Sequence, residues 1–264
     1  MNNISFPEMG INFKINPVAF ELPVVGEVRW YGILIGLGIL LAFLYCSYVA
    51  KKEDVSADTL ADIIIYTLPV AIVCARTYYV IFTWDSYKNN LSDVFKIWEG
   101  GLAIYGGIFG AVATGLIYCK IKKLETLKIF DICALGLLIG QAVGRWGNFM
   151  NAEAFGTFCS GIFGMSINGE APVHPTFLYE SLWNVLGLII LSLLHRKRPF
   201  NGFTFFSYVT WYGAGRFIIE GLRADSLYLG GFRISQLVAL VCVIAGISVI
   251  CILSEKNIRK KSGK

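Results

Sequence analysis

Residues 28–50 read VRWYGILIGLGILLAFLYCSYVA, and Arg29, close to the start, is the one charged side chain in this stretch. A helix needs about 20 consecutive, mostly apolar residues to cross the hydrocarbon core of a bilayer. A helix of that length that is apolar on every side has no polar face to turn towards water. The stretch therefore predicts a membrane-spanning helix, and it sets the interpretation of the chain on either side.

Six further apolar runs of similar length follow. They predict spans at residues 59–82, 101–119, 130–149, 176–194, 202–221 and 233–253. The 264 residues are 56 % hydrophobic and 16 % charged, with a mean hydropathy of +0.62, which is more apolar than soluble domains. We therefore predict an all-α, polytopic membrane protein with seven transmembrane helices, formed by a single integral membrane domain over residues 1–264.

Lysine and arginine collect in every second connection between the predicted spans, and such connections stay on the cytoplasmic side of a membrane. The basic clusters are Lys51 and Lys52; Lys120, Lys122, Lys123 and Lys128; Arg196, Lys197 and Arg198; and Lys256, Arg259, Lys260, Lys261 and Lys264. This pattern predicts an N-terminus outside and a basic cytoplasmic tail at residues 254–264. Residues 1–27 are then an outer segment, and the outer loops at 84–100 and 150–175 form a small extracytoplasmic cap.

Two classes of function are disfavoured by the same sequence. The net charge of +5 does not indicate a nucleic-acid partner, because the basic residues lie in short clusters between spans and not on one continuous face. The seven cysteines show neither CxxC nor metal-ligand spacing. We therefore expect no nucleic acid and no metal site, and the bilayer itself is the first partner that the sequence predicts.

Ionisable side chains inside a span cost about 2.5 to 3.5 kcal/mol at mid-helix and need a partner or a purpose. Arg76, Arg145 and Arg216 fall in the outer halves of the second, fourth and sixth predicted spans. Tyr31 and Tyr105 fall near the outer ends of the first and third spans. Five helices are therefore predicted to send polar groups to one level of the membrane.

The spacing of these residues favours a binding site for an anion. Glu220 follows Arg216 by four residues, so the two share a helix face and can form an ion pair, and Asn148 follows Arg145 by three and is a neighbour in the same sense. The arginine fork matches a phosphate group. The neighbouring glycines are expected to let helix backbones approach closely and to leave space for a ligand; they are Gly144, Gly147, Gly213 and Gly215. The alternative is that the arginines only extend to the interface and stabilise helix ends.

Five motifs carry a resemblance to a known family. They are RWYG at residues 29–32, GGLAIYGG at 100–107, GRWGNFMNAEAFG at 144–156, HPTFLYE at 174–180, and YGAGRF at 212–217 with Glu220 and Arg223 beyond it. With these motifs the chain resembles the prolipoprotein diacylglyceryl transferases, bacterial membrane enzymes, over essentially its whole length. The resemblance implies a seven-helix enzyme of the bacterial cytoplasmic (inner) membrane that works on the extracytoplasmic side without a cofactor. Its reaction would move the diacylglyceryl group of phosphatidylglycerol to the lipobox cysteine of a prolipoprotein signal peptide.

The resemblance also implies roles for individual residues. Catalytic roles fall to Arg145, Arg216, Tyr105 and Tyr31, and contacts with the substrate to Arg145, Asn148, Glu153, Gly156, Arg216, Glu220, Arg76 and His174. One position departs from the family pattern, because Tyr105 stands where a histidine proposed as the base is often found. A free phenol titrates near pH 10, so Tyr105 is a poor base at neutral pH, and the group that activates the thiol stays open.

Two other classes of function remain as alternatives. A transporter or flippase of an anionic lipid would also bury arginines, but it should show repeat symmetry and polar residues on both sides of the membrane. Apart from Asp131, the intramembrane polar residues considered above stop at mid-membrane. A scaffold that merely binds lipid through its arginines would release no product from phosphatidylglycerol.

Overall fold

The computed structural model describes residues 1–23, 26–226 and 228–262, and this part of the chain is mostly helical. Its eight helices are α1 (Trp30–Lys51), α2 (Ala57–Phe82), α3 (Trp84–Tyr87), α4 (Ile104–Ile121), α5 (Thr126–Asn151), α6 (Thr176–His195), α7 (Phe203–Glu220) and α8 (Ile234–Ser262). Short 3₁₀ turns lie at Pro7–Met9, Leu91–Phe95 and Ile97–Glu99.

Six helices among the described residues are long and apolar enough to cross a membrane. They are α1, α2, α4, α5, α6 and the part of α8 from Ile234 to Arg259, and each coincides with a predicted span. Helix α7 forms where the remaining span is predicted, but it carries Arg216 and Glu220 and is not among the six. Helix α8 continues through most of the predicted tail, whose last two residues lie outside the described part of the chain.

The expectation of an all-α protein misses a set of short strands. They are β1 (Asn2–Phe6), β2 (Ile11–Ile15), β3 (Val18–Leu22), β4 (Gly26–Arg29), β5 (Ser166–Ile167), β6 (Tyr228–Leu229) and β7 (Phe232–Arg233). Strands β2, β1 and β5 form an antiparallel sheet in that order, while β3 pairs with β4 and β6 with β7. Gly10, at φ 67°, supports the turn between β1 and β2 because a glycine adopts this left-handed conformation without strain.

The three-stranded sheet is held by a small hydrophobic core. Ile4 and Phe6 alternate with polar residues along β1 and turn to one face, as the period of a strand requires. They form a buried cluster with Phe149 at the end of α5 and Phe177 at the start of α6. The sheet therefore packs against the start of α6 and against the end of α5, which carries the predicted site residues Arg145 and Asn148.

The helices group into two compact units. The first comprises Met1–Cys46 and Phe130–Lys264, and the second comprises Ser47–Ile129. In the first unit, α6 packs on α7, α7 packs on α8, and Gly38 of α1 faces Gly140 of α5. In the second unit, α2 packs on α4, where Gly106 and Gly110 leave no room for a side chain against α2. Small residues at such contacts allow helix backbones in a membrane to approach closely.

A reciprocal pair of indoles joins α6 to α7. The rings of Trp183 and Trp211 stack with centroids 4.4 Å apart. Each indole N–H donates to the backbone carbonyl of the other tryptophan, at 3.0 and 3.1 Å. Gly215 leaves the space that Trp183 fills. Gly147 does the same for the ring of Tyr31, so the prediction that these two glycines leave space for a ligand is wrong.

Replacing Gly215 with alanine is expected to destabilise the first unit. The added Cβ would overlap the Trp183 indole, and overpacking of this kind costs about 1 to 3 kcal/mol. Gly140→Ala is the matched control, because no atom lies within 4 Å of its added Cβ. Thermal unfolding of the detergent-solubilised variants should show a lower midpoint for Gly215→Ala alone. Equal midpoints would contradict the proposed crowding.

Candidate functional site

Two arginines from different helices meet at one buried carboxylate. Arg145 of α5 places Nη2 2.5 Å from Oε2 of Glu180, and Arg216 of α7 places Nη1 3.1 Å from Oε1 of the same side chain. Glu180 lies in the second turn of α6 and is 4 % exposed. One carboxylate therefore holds two guanidinium groups side by side, although their like charges repel each other.

A second carboxylate orients Arg216 from its own helix. Nη2 of Arg216 lies 2.6 Å from Oε2 of Glu220, which confirms the ion pair predicted from their spacing. Ser226 donates to Oε1 of Glu220 at 2.8 Å, and Arg233 donates to the backbone carbonyl of Glu220. Ser226 and Arg233 therefore hold Glu220 in place, and Glu220 and Glu180 together fix the position of Arg216.

Arg223 adds a third guanidinium to the same cluster. Its Nη1 lies 3.7 Å from Oε1 of Glu180, and its Nε and Nη2 donate to the carboxylate of Asp225 at 2.9 and 2.7 Å. Burial alone would lower the pKa of Arg223, but the hydrogen bond and charge of Asp225, with the charges of Glu180 and Glu220, raise that pKa above its usual value. Arg223 therefore keeps its positive charge at neutral pH.

The accessible part of this cluster is cationic. The side chains of Arg145 and Arg216 are 23 % and 19 % exposed, whereas those of Glu180 and Glu220 are 5 % and 2 % exposed. The carboxylates face inwards, and the guanidinium groups take the exposed positions. An anionic group can therefore bind to the exposed guanidinium groups, because the carboxylates that would repel it are buried behind them.

A hydrogen-bonded loop follows Arg145 at the end of α5. Asn148 and Asn151 donate their side-chain amides to Oε1 of Glu153, at 3.0 and 3.3 Å. Asn148 also lies 3.5 Å from Nη1 of Arg145. The predicted contacts Asn148 and Glu153 are therefore joined to Arg145 by a chain of polar groups.

Gly156 lies where three segments meet. Its backbone N–H donates to the carbonyl of His174 at 2.9 Å, and Gly156 forms an isolated bridge with Arg223. An added Cβ would crowd His174 and the carbonyl of Leu222. The His174 ring lies 3.3 Å from the hydroxyl of Tyr179. Gly156 thus connects the end of the motif at residues 144–156 to the segment that carries Arg223, and His174 supports this junction.

The remaining predicted site residues are distributed over both units. Tyr31, in the first turn of α1, lies against Gly147 of α5 in the first unit. Tyr105 lies in the first turn of α4, in the second unit. Arg76 also belongs to the second unit, where it is 7 % exposed and bonded to backbone carbonyl groups. The catalytic and binding roles of these residues stay predictions.

Glu180 and Arg223 were missing from the site predicted by sequence. Glu180 is the one acidic residue between Thr176 and His195, so the cost of an intramembrane charge was a signal that could have identified it. The predicted intramembrane arginines Arg145 and Arg216 also require more than one acidic partner. Arg223 follows the end of α7, and its sequence position alone does not show that the chain turns back on Glu180.

The Arg223–Asp225 pair predicts a pH dependence of stability. The hydrogen bond from Arg223 lowers the pKa of Asp225. Since the folded pKa lies below the unfolded value near 3.9, the pair stabilises the fold above that pH. Its contribution is lost as the pH falls through the lowered value. Because Asp225 is half exposed, we expect at most about 1 kcal/mol.

The test compares unfolding midpoints of the unmodified protein and Asp225→Asn at pH 7 and pH 3. The unmodified protein should be the more stable at pH 7, and the difference should be smaller at pH 3. A difference of equal size at both pH values would mean that the asparagine acts through packing and not through charge.

Comparison with known proteins identifies the family. A sequence model described as prolipoprotein diacylglyceryl transferase matches residues 17–252. A protein of Listeria innocua named phosphatidylglycerol–prolipoprotein diacylglyceryl transferase is 45 % identical over 89 % of each chain. A protein of the same name from Lysinibacillus sphaericus is 45 % identical over 90 % of this chain and 92 % of its own. Another from Finegoldia magna is 47 % identical over 94 % of this chain and 99 % of its own. The chain belongs to the prolipoprotein diacylglyceryl transferase family.

Proposed function

We propose that this protein transfers the diacylglyceryl group of phosphatidylglycerol to the lipobox cysteine thiol of prolipoproteins. The observation that carries the proposal is the Arg145–Glu180–Arg216 cluster, found in a chain whose named relatives act on phosphatidylglycerol and prolipoprotein. In the reaction the cysteine sulfur attacks the glycerol carbon that bears the phosphate ester. A C–S thioether bond forms and the C–O bond breaks with its electron pair on the phosphate oxygen, so glycerol phosphate leaves. The thiol proton passes to a basic group or to water.

The two arginines suit the departing phosphate. Charge develops on this leaving group in the transition state, and fixed cations in a poorly hydrated site stabilise it without reorganising. Glu180 and Glu220 hold Arg145 and Arg216 in place before the substrate binds. Asn148, Glu153 and Gly156 form the rim of the head-group site, Tyr31 contacts it from α1, and Arg76 and His174 are the further predicted contacts.

We propose that all seven long helices span the membrane, with α7 included. Its charges would then be tolerated because Arg216 pairs with Glu220 on the same helix and with Glu180 of α6. The alternating basic connections support an N-terminus outside the cell and a C-terminus in the cytoplasm. The arginine cluster then faces the extracytoplasmic leaflet of the bacterial inner membrane, where the lipid and the signal peptide meet it.

The test is transfer by the reconstituted protein from phosphatidylglycerol to a lipobox peptide, followed as thioether product by mass spectrometry. A peptide with serine in place of the cysteine is the control and should give no product. If the unmodified protein forms no thioether but moves anionic lipid between leaflets, it is a flippase. If it binds lipid and does neither, it is a scaffold.

Tyr105→Phe tests the position that departs from the family pattern. We expect slower transfer, because the hydroxyl is proposed to bond the phosphate or relay the thiol proton. The measurement is the transfer rate across pH 6 to 9, with unfolding midpoints as the control for folding. An unchanged rate at every pH would remove Tyr105 from the catalytic residues.

A further inference from the structure

Arg76 is a buried arginine whose guanidinium donates to backbone carbonyl groups and lies over the ring of Tyr87, 5.2 Å from its centroid. Its Nε donates to Val94 at 2.8 Å, its Nη2 to Asp93 at 2.5 Å, and its Nη1 to Gly100 and Gly101 at 2.7 and 3.1 Å. Arginine has five N–H donors, and here they meet four acceptors from one segment. The segment between α2 and α4 is therefore bound to the last third of α2, at Arg76.

These carbonyl groups lie at a level well inside α2. The backbone N–H of Ala103 donates to the carbonyl of Ala75 at 3.1 Å, while α2 itself ends at Phe82. Seven residues of helix correspond to roughly 10 Å along the axis. The chain thus leaves α2, turns, and returns alongside it before α4 begins at Ile104.

Close packing keeps this returning segment against α2. Gly101 lies so near Arg76 and Tyr79 that an added Cβ would overlap both side chains. Non-helical backbone is tolerated at membrane depth only where its polar groups are satisfied inside the protein. Arg76 meets this requirement for four carbonyl groups, so its buried charge has partners within the protein.

The opposite side of the segment is apolar and uncovered. Phe95 and Trp98 are 78 % and 77 % exposed, and Leu102 is 48 % exposed. The flanking helix ends are exposed as well, with Phe82 of α2 at 72 % and Ile104 of α4 at 70 %. The segment therefore exposes apolar side chains as the two candidate spans on either side of it in the chain do, and lipid would cover those spans.

Charge pairing within the segment favours the same environment. Lys88 lies 2.8 Å from Asp85, and Lys96 lies 2.7 Å from Asp93. Each pair brings no net charge into the interface between head groups and hydrocarbon, where tryptophan is enriched. A water-facing loop would gain nothing from exposing a phenylalanine and an indole almost completely.

We propose that the segment between α2 and α4 is re-entrant and that its residues 91–103 are embedded in the bilayer, with Phe95, Trp98 and Leu102 in contact with lipid acyl chains and Arg76 holding the segment at this depth. The partner is the lipid itself and not another protein. Arg76 is then a positioning residue for this segment. This inference does not depend on the transferase activity, because it concerns lipid contact and not product formation.

The experiment places the photoreactive residue benzoylphenylalanine at position 95, 98 or 89 of the full-length protein in vesicles of phosphatidylglycerol and phosphatidylethanolamine. After irradiation, mass spectrometry measures the lipid adducts. Positions 95 and 98 should give several-fold more acyl-chain adducts than position 89, where the exposed polar Asn89 stands. Equal yields at the three positions, or adducts mainly to a second protein copy, would overturn the proposal.

Two glycine variants test the role of Arg76. Gly100 and Gly101 have φ values of +94° and +71°, so alanine is strained at both, but only at Gly101 would the new Cβ displace the Arg76 guanidinium. In Gly101→Ala the adducts at position 98 should fall, while in Gly100→Ala they should persist. Labelling at Phe109, which is 69 % exposed on α4, should stay constant and reports that the helices are intact. Unchanged labelling at position 98 in Gly101→Ala would refute the role of Arg76.

Discussion

Replacing Arg216 with alanine is expected to lower the rate of diacylglyceryl transfer by a factor of about 10² to 10³, the usual loss when one preorganised donor to a developing anion is removed. Arg216 lies close to both buried carboxylates, with 3.1 Å to Glu180 and 2.6 Å to Glu220. Its position is therefore set before the substrate arrives. The loss should appear in kcat, because the leaving phosphate carries more charge in the transition state than in the bound lipid.

Two further variants make this prediction specific. Arg216→Lys keeps the positive charge but cannot donate to both carboxylates through a planar fork, so transfer should recover only in part. Arg259→Ala is the control. The Arg259 side chain lies near the end of α8 and is 84 % exposed, so this variant also removes one positive charge but should leave transfer unchanged. If Arg216→Lys is as active as the unmodified protein, only the charge matters and the proposed geometry does not.

The helices were predictable because a long apolar run in a bilayer satisfies its backbone hydrogen bonds by forming a helix. The predicted run at 59–82 became α2, Ala57–Phe82, and the run at 176–194 became α6, Thr176–His195. The N-terminal strands were not predicted. Their burial alternates over only five residues, as in β1, and their stability comes from contacts with Phe149 and Phe177, which lie far away in the sequence.

The site was predictable where its geometry is local. The Arg216–Glu220 pair follows from the helix period, because residues four apart share a face. The central role of Glu180 does not follow in this way. It depends on the packing of α6 against α7, which the paired indoles of Trp183 and Trp211 maintain.

Glycine positions show the same limit. The sequence correctly marks Gly147 and Gly215 as places of close approach, but it does not say which group approaches. Here the neighbours are the ring of Tyr31 and the indole of Trp183. A pattern of small residues thus indicates tight contact, and only the fold distinguishes a ligand from a side chain.

Glu180→Gln is expected to reduce both stability and transfer. The amide keeps the size of the side chain but removes the charge that offsets Arg145 and Arg216, and breaking a buried ion pair costs about 3 to 5 kcal/mol. The two guanidinium groups should then move apart, and the phosphate would lose a prepared site. Glu255→Gln, in a carboxylate that is 72 % exposed, is the control and should change neither quantity.

A double-mutant cycle separates positioning from a general loss of folding. If Glu180 acts through Arg145, then Arg145→Ala should cost much less activity in the Glu180→Gln background than in the unmodified protein, because the interaction is already lost. Rates are measured at a temperature where unfolding midpoints show every variant to be folded. Losses that add independently would mean that Glu180 supports the fold without orienting Arg145. Coupling of 0.5 kcal/mol or more, at about the lower limit for residues in one network, would identify Glu180 as the residue that orients Arg145 for transfer.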